Sequence, residues 1–201
     1  MVYDETLKRE IPQNWQVKKL KDLFEFEKGT EPGSSAYSDE PKDGKYIKFF
    51  RVGDVDGSCQ TFIDGSEYAL KTVRPTDVIV TFDGSVGKLG LGLDGAISGG
   101  LRHIYDRSGK IKNATVWVIF SDPRIVADIE KYATGSVLKH ASSAIDYLKM
   151  PYNEDVLLKF QTIIKPIFAQ IVANKQESAR LANLRDYLLP LLMNGQVSVV
   201  D

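Results

Sequence analysis

From Asn153 to Asn194 the chain contains no glycine, and its apolar residues recur in steps of three and four: Phe160, Ile164, Ile167 and Ile171, then Leu181, Leu184, Leu188 and Leu191. This is the spacing of a helix that buries one stripe against another helix. Asn153 followed by Glu154-Asp155 marks the start, and Asn194-Gly195 the stop. A helix of that length spans roughly 60 Å at ~1.5 Å per residue. The 150 residues ahead of it cannot fold into a body large enough to cover it. Either it turns back on itself near Asn174 and Ser178, or it projects and pairs with a helix from another chain. Asn174 and Ser178 interrupt the stripe, which fixes register at a cost in stability. Pro166 and Pro190 should bend the first and last turns.

Residues 1–150 have a different character, rich in glycine, β-branched and aromatic residues, with turn signals about every ten residues. Strands are expected at 16–20, 45–52, 77–82, 88–93 and 115–120, with turns at Asp56-Gly57, Asp64-Gly65 and Asp83-Gly84. Asp122-Pro123 opens a short helix that carries Ile125, Val126, Ile129 and Tyr132 and ends at Gly135. The expected fold class is α+β: a β-rich domain with short helices over 1–150, then a long coiled-coil-type helix and tail over 151–201.

Several functions are disfavoured at once. Cys59 is the only cysteine, so neither an internal disulfide nor a multi-cysteine metal site can form. Only His103 and His140 could add imidazole ligands. The apolar runs read as too short for a bilayer span, and the opening MVYDETLKRE carries charges where a signal peptide needs an apolar stretch. No membrane association and a cytoplasmic location are expected. Lys+Arg and Asp+Glu number five each in 151–201, leaving 21 and 22 in 1–150. A nucleic-acid role would therefore rest on a local basic surface, without help from global charge.

Three motifs invite an enzymatic reading. Gly90-Leu-Gly-Leu-Asp-Gly95 fits the dinucleotide fingerprint, but Ala96-Ile-Ser-Gly-Gly100 cannot open the helix that fingerprint requires. Gly84-Ser85-Val86-Gly87-Lys88 is similar to a phosphate loop, yet Phe82 replaces its first glycine and Leu89 its final hydroxyl residue. It is no nucleotide site, though its amides, Ser85 and Lys88 could hold a DNA phosphate. Asp43-Gly44-Lys45 has the spacing of some metal-dependent nucleases, with no second acidic residue placed convincingly before it. No catalytic centre and no cofactor site emerges. What remains is a scatter of donors where glycines break the strand patterns: Lys28, Lys48, Arg51, Arg102, His103, Lys139 and His140. Carried on loops of one rigid body, they suit phosphates and base edges. Lys88, Arg102 and Lys139 are expected on the DNA backbone, and Lys48, Arg51 and His103 at the bases.

The order of motifs resembles a known family. Ile11-Pro-Gln-Asn-Trp15-Gln-Val-Lys-Lys-Leu20, Phe82-Asp-Gly-Ser-Val-Gly-Lys-Leu-Gly90, Gly135-Ser136 through His140, and Leu184-Arg-Asp-Tyr-Leu-Leu-Pro-Leu-Leu-Met-Asn-Gly195 follow one another. In that order they are similar to landmarks of the specificity subunits of type I restriction-modification enzymes. The resemblance covers almost the whole chain. Family subunits carry this unit twice in tandem, whereas here there is one copy and no internal repeat. The chain therefore resembles a half-subunit.

The resemblance implies a non-catalytic target recognition domain over 1–150 that reads one half of an interrupted double-stranded DNA target. It implies antiparallel long helices that hold two such domains apart and dock methyltransferase subunits. S-adenosylmethionine belongs to those partners, and a restriction or translocase subunit would complete the assembly. On this reading the chain is a homodimer through Phe160, Ile164, Ile167, Ile171, Leu181, Leu184, Leu188 and Leu191, and aspartates at 164 and 188 should give monomers. Two alternatives stand: a metal-dependent nuclease built on Asp43 and Lys45, or a coiled-coil module that binds only protein.

Overall fold

The structure, a computed structural model, describes residues 1–135 and 140–197. The chain opens with a hairpin of β1 (Val2–Asp4) and β2 (Arg9–Ile11). Then come β3 (Gln16–Lys19), β4 (Glu25–Lys28), β5 (Tyr46–Phe50), β6 (Phe62–Asp64) and β7 (Thr72–Val73). After these follow β8 (Val78–Thr81), β9 (Leu89–Gly90), β10 (Gly95–Ile97) and β11 (Leu101–Tyr105). Two short helices, α1 (Asn113–Phe120) and α2 (Pro123–Lys131), precede β12 (Lys149–Tyr152) and the long α3 (Glu154–Met193).

Two four-stranded sheets form the body, in the orders β4-β11-β8-β9 and β6-β5-β10-β7. Alternation along β8 holds them together. Val78 and Val80 face a core with Phe24, Phe120, Ile125 and Ile129, while Ile79 faces Phe50, Leu93, Ile97 and Leu101 in the core between the sheets. A strand buried on both faces reads as an unbroken apolar run, which is why β8 stands out in the sequence. β12 pairs with β3 and delivers the chain into α3, so the helix starts from a fixed point.

The α+β expectation holds, with one exchange of element type. Residues 115–120 are helical, not a strand. Ala114, Val116 and Phe120 are buried, and Trp117 lies with its ring centre 6.0 Å from that of Phe168 on α3. A helix covered on several sides is apolar on several sides, and an apolar run of that kind carries no period that separates helix from strand. α2 forms as its capping chemistry predicts: the Asp122 carboxylate accepts from the Arg124 amide at 2.9 Å, with Pro123 in the first turn.

α3 runs unbroken for 40 residues, through Asn174 and Ser178 without turning back, and carries both prolines. The Asn153 side chain accepts from the Val156 amide at 3.1 Å, and Gly195 at φ 66° follows the last turn. Its stripe has two different fates. Ile164, Phe168 and Val172 are buried against Leu91 and Ala114, with Phe160, Ile171, Trp117 and Val118 around them. Ile164 is thus buried against the chain's own body, which corrects its assignment to a dimer interface, while Phe160 and Ile171 are only partly buried at the rim of that cluster and Ile167 on the next face is 52% exposed. Beyond Lys175 the helix adds no residue to the buried core clusters, and Leu181, Leu184, Tyr187, Leu189, Leu192 and Met193 are exposed. One 18-residue window of α3 has a mean hydropathy of 1.5, enough by length and composition to cross a bilayer, against the expectation of short runs only.

Candidate nucleic-acid interface

The two sheets open onto one common edge. β4 ends at Lys28 and β8 at Thr81, and β11, antiparallel to both, begins there at Leu101. β5 and β10 run parallel and end at Phe50 and Ile97. The turn 98–100 carries the chain from β10 to β11, with the Ser98 amide donating to Phe50 O and the Thr30 amide to Ile97 O, both at 2.9 Å. Gly29 permits this junction: a Cβ there would stand 2.1 Å from the Ser98 carbonyl oxygen.

Along this edge the structure gathers Lys28, Arg51, Ser85, Lys88 and His140, all with exposed side chains. Lys28 and Lys88 bracket it, three strand spacings apart, or roughly 14 Å at ~4.8 Å each. Acceptors stand among the donors. Arg51 Nε lies 3.4 Å from Asp54 Oδ2, and its guanidinium 5.9 Å over the Tyr37 ring. Tyr37 donates to Glu31 at 3.0 Å; burial, and then that bond, raises its phenol pKa and keeps the donor in place. His140 Nδ1 is 2.7 Å from Asp83 Oδ1. Alternating guanidinium, ammonium, imidazole, hydroxyl and carboxylate groups can complement base edges as well as phosphates.

Four sequence expectations change here. Arg102 does not reach solvent: it is 5% exposed, and its guanidinium donates to Gly99 O, Leu101 O and Ser142 Oγ. His103 lies mid-strand, 4.8 Å from the Tyr105 ring, with Nδ1 3.7 Å from Glu27 and Nε2 3.8 Å from Asp77. With its side chain only 14% exposed, it is a sheet residue and no base reader. Lys48 lines a groove of about 770 Å³ beside Asn174, Lys175 and Ser178 of α3. The 84–88 loop is a closed turn: the Gly87 amide bonds to Thr81 O and the Lys88 amide to Thr81 Oγ1, both at 2.9 Å, and the Thr81 hydroxyl bonds to Ser85 O. The Val86, Gly87 and Lys88 amides are thus occupied, which leaves the Lys88 and Ser85 side chains with the Gly84 and Ser85 amides to meet a phosphate. Lys139 lies outside the described residues.

The enzymatic motifs resolve as turns. Asp43, at φ 52°, sits in an exposed turn where aspartate tolerates the left-handed conformation. Among the described residues no group of three His, Cys, Asp or Glu side chains could hold a metal. Gly92, at φ 82°, lies under α3, where a Cβ would be 3.1 Å from Lys175 Cβ. The chain then enters β10, so no helix offers its N-terminus to a pyrophosphate. Glu31, Tyr37, Asp83 and the 98–100 turn were not picked out from the sequence; Gly99-Gly100 was the available signal, a pair that lets backbones approach closely.

Burial lowers the His103 pKa below its usual value, outweighing the attraction of Asp77 and Glu27. The folded chain therefore favours neutral imidazole, while the unfolded chain takes up a proton near pH 6.5. Stability from this residue is present above about pH 6.5 and is lost as pH falls below it. Melting curves at about pH 7.5 and 5.5 should show a smaller drop in His103→Gln than in the unsubstituted chain.

Residues 12–140 match the family described as the type I restriction modification DNA specificity domain. The chain belongs to that family. It is 27% identical over 213 residues to the type I restriction enzyme MjaIX specificity subunit of Methanocaldococcus jannaschii, covering 100% of this chain and 48% of that subunit. With the HindI specificity subunit of Haemophilus influenzae it shares 21% over 203 residues, 93% of this chain and 42% of that one. The chain thus spans about half the length of these relatives. The fold is that of the S subunit of a type I restriction-modification system from M. genitalium, with TM-score 0.57 and 15% identity over 90% of this chain and 45% of that one. It also matches the HsdS subunit of Thermoanaerobacter tengcongensis, with TM-score 0.51 and 18% identity over 94% and 47%.

Proposed function

We propose that the chain is a non-catalytic DNA-reading unit of a type I restriction-modification complex, which contacts one half of a bipartite duplex target. The observation that carries this reading is the single edge onto which both sheets open, bearing Lys28, Arg51, Ser85, Lys88 and His140 on a body of the DNA specificity family. The distal half of α3 pairs antiparallel with that of a second copy, and the paired helices dock methyltransferase subunits, which bring S-adenosylmethionine. A restriction or translocase subunit joins the complete complex in the cytoplasm. Residues 1–150 form the target recognition domain and 151–201 the spacer.

Mobility shift of a random duplex pool with the purified chain, with and without magnesium, tests this. The expected result is retention of a specific subset of duplexes, without cleavage. Cleavage that depends on magnesium would favour the Asp43 nuclease, and no retention the protein-only module. Lys28→Ala and Lys88→Ala should each weaken binding to all duplexes and lower the salt slope by about one. Salt titrations should find the slope unchanged in Lys48→Ala.

A further inference from the structure

Beneath the edge lies a cation that phosphate contacts do not use. Arg102 Nη1 donates to Gly99 O at 2.7 Å and Leu101 O at 3.1 Å, and Nη2 donates to Ser142 Oγ at 2.9 Å. The guanidinium also lies 5.7 Å over the Phe82 ring. Around it three loops are stitched by backbone. Gly100 O accepts from the Phe82 and Asp83 amides at 2.9 and 3.2 Å, and Phe82 O accepts from the Ala141 amide at 2.8 Å. No carboxylate lies within ion-pair distance of Arg102 among the described residues. Asp83, the nearest acid to influence it, is already bound to His140.

An arginine so placed is a poor way to fill a core. Burying a charge without a direct counter-charge is unfavourable, and a core position has no need of one for packing alone. What the guanidinium offers is a rigid planar fork that fixes two carbonyls and a hydroxyl at set angles. A Cβ on Gly100 would come 2.6 Å from Val52 Cγ2, so the turn it holds is also packed against the loop that begins at Arg51.

We propose that Arg102 is a positioning residue for sequence reading: its buried guanidinium clasps the 98–100 turn to the loop bearing Ser142, across the Phe82-Asp83 segment, and so sets the spacing of side chains along the edge. This rests on the edge being the DNA-reading surface. Phosphate contacts by flexible lysines tolerate small shifts, whereas base contacts need their groups held to within about half an ångström. Loss of the clasp therefore lowers discrimination between sequences and leaves non-specific affinity intact.

The experiment compares the full chain with Arg102→Met, Arg102→Lys and Ser142→Ala. A duplex selected from a random pool by the unsubstituted chain, and a shuffled version of it, serve as probes, and each variant's melting is recorded. Arg102→Met leaves the Gly99 carbonyl and the Ser142 hydroxyl without their donor and should melt below the unsubstituted chain while staying folded at the assay temperature, and it should lose about tenfold or more of the affinity ratio between the two duplexes. Arg102→Lys should restore part of that ratio, and Ser142→Ala should lose a smaller part of it with melting unchanged. A folded Arg102→Met that keeps the full ratio would overturn the proposal. If Arg102→Met does not fold, Ser142→Ala decides: loss of ratio supports the clasp, and an unchanged ratio overturns it. Failure of the unsubstituted chain to select any duplex appears before a variant is made; the DNA reading then falls, and this proposal with it.

Discussion

A chain carrying Leu184→Asp and Leu188→Asp should sediment as a monomer at concentrations where the unsubstituted chain is a dimer, and its N-terminal body should melt as before. In a single chain Leu184 is 49% exposed and Leu188 is half-buried, with neither in the body's core clusters. The substitutions therefore cost the isolated fold little. In the proposed dimer the same positions lie on the seam with Leu181 and Leu191. Leu181 and Leu184 are about half exposed and Leu188 and Leu191 partly covered in the single chain, so at about half of the 1.5–3 kcal/mol for full burial, four from each copy contribute about 6–12 kcal/mol, the same order as the roughly 4–15 kcal/mol that association costs. A carboxylate left unpaired in such a seam adds a desolvation penalty of several kcal/mol. Sedimentation across a concentration series checks the prediction. An unsubstituted chain that stays monomeric at high concentration would contradict it.

In that monomeric background, Phe168→Ala should lower unfolding stability by about 3–5 kcal/mol, and Ile164→Asp should release α3 from the body. Phe168 and Ile164 are 6% and 9% exposed, at the centre of the cluster with Leu91 and Ala114. Ile167→Asp, one face round the helix and 52% exposed, should change little. Denaturant unfolding followed by the fluorescence of Trp117, which packs on Phe168, reads all three. Using the monomeric background removes the concentration dependence that the proposed dimerisation would impose on apparent stability.

These predictions mark where sequence and structure part. The period of α3 and its caps at Asn153 and Asn194 were legible because each rests on local chemistry. That the stripe serves the body up to Val172 and only then projects was not legible, since a heptad pattern names a buried face without naming its partner. α2 was readable from Asp122-Pro123, and β8 from its apolar run. α1 was misread because Trp117 and Val118 meet α3 while Val116 and Phe120 meet the core, which erases any period. β11 is hard to read because it opens after Gly99-Gly100 and carries two polar residues, Arg102 and His103, which break its apolar pattern. Side by side in sequence, they give no sign that one lies under a turn and the other between two carboxylates. Lys28, Arg51, Ser85, Lys88 and His140 were legible as donors beside glycine turns, but their gathering on one edge depends on strand order, which only the fold supplies.

If this body reads DNA and two copies join through α3, the same reading surface is presented twice. Two-fold symmetry then requires a two-fold target. Methylation sequencing of the genome of cells that carry the chain with its complete modification system tests this most directly. Modified adenines are expected in an inverted repeat with a spacer of fixed length, lost when the chain is deleted and lost again in Leu184→Asp with Leu188→Asp. An asymmetric target would contradict the symmetric pairing, and modification indifferent to the chain would contradict its role in reading DNA.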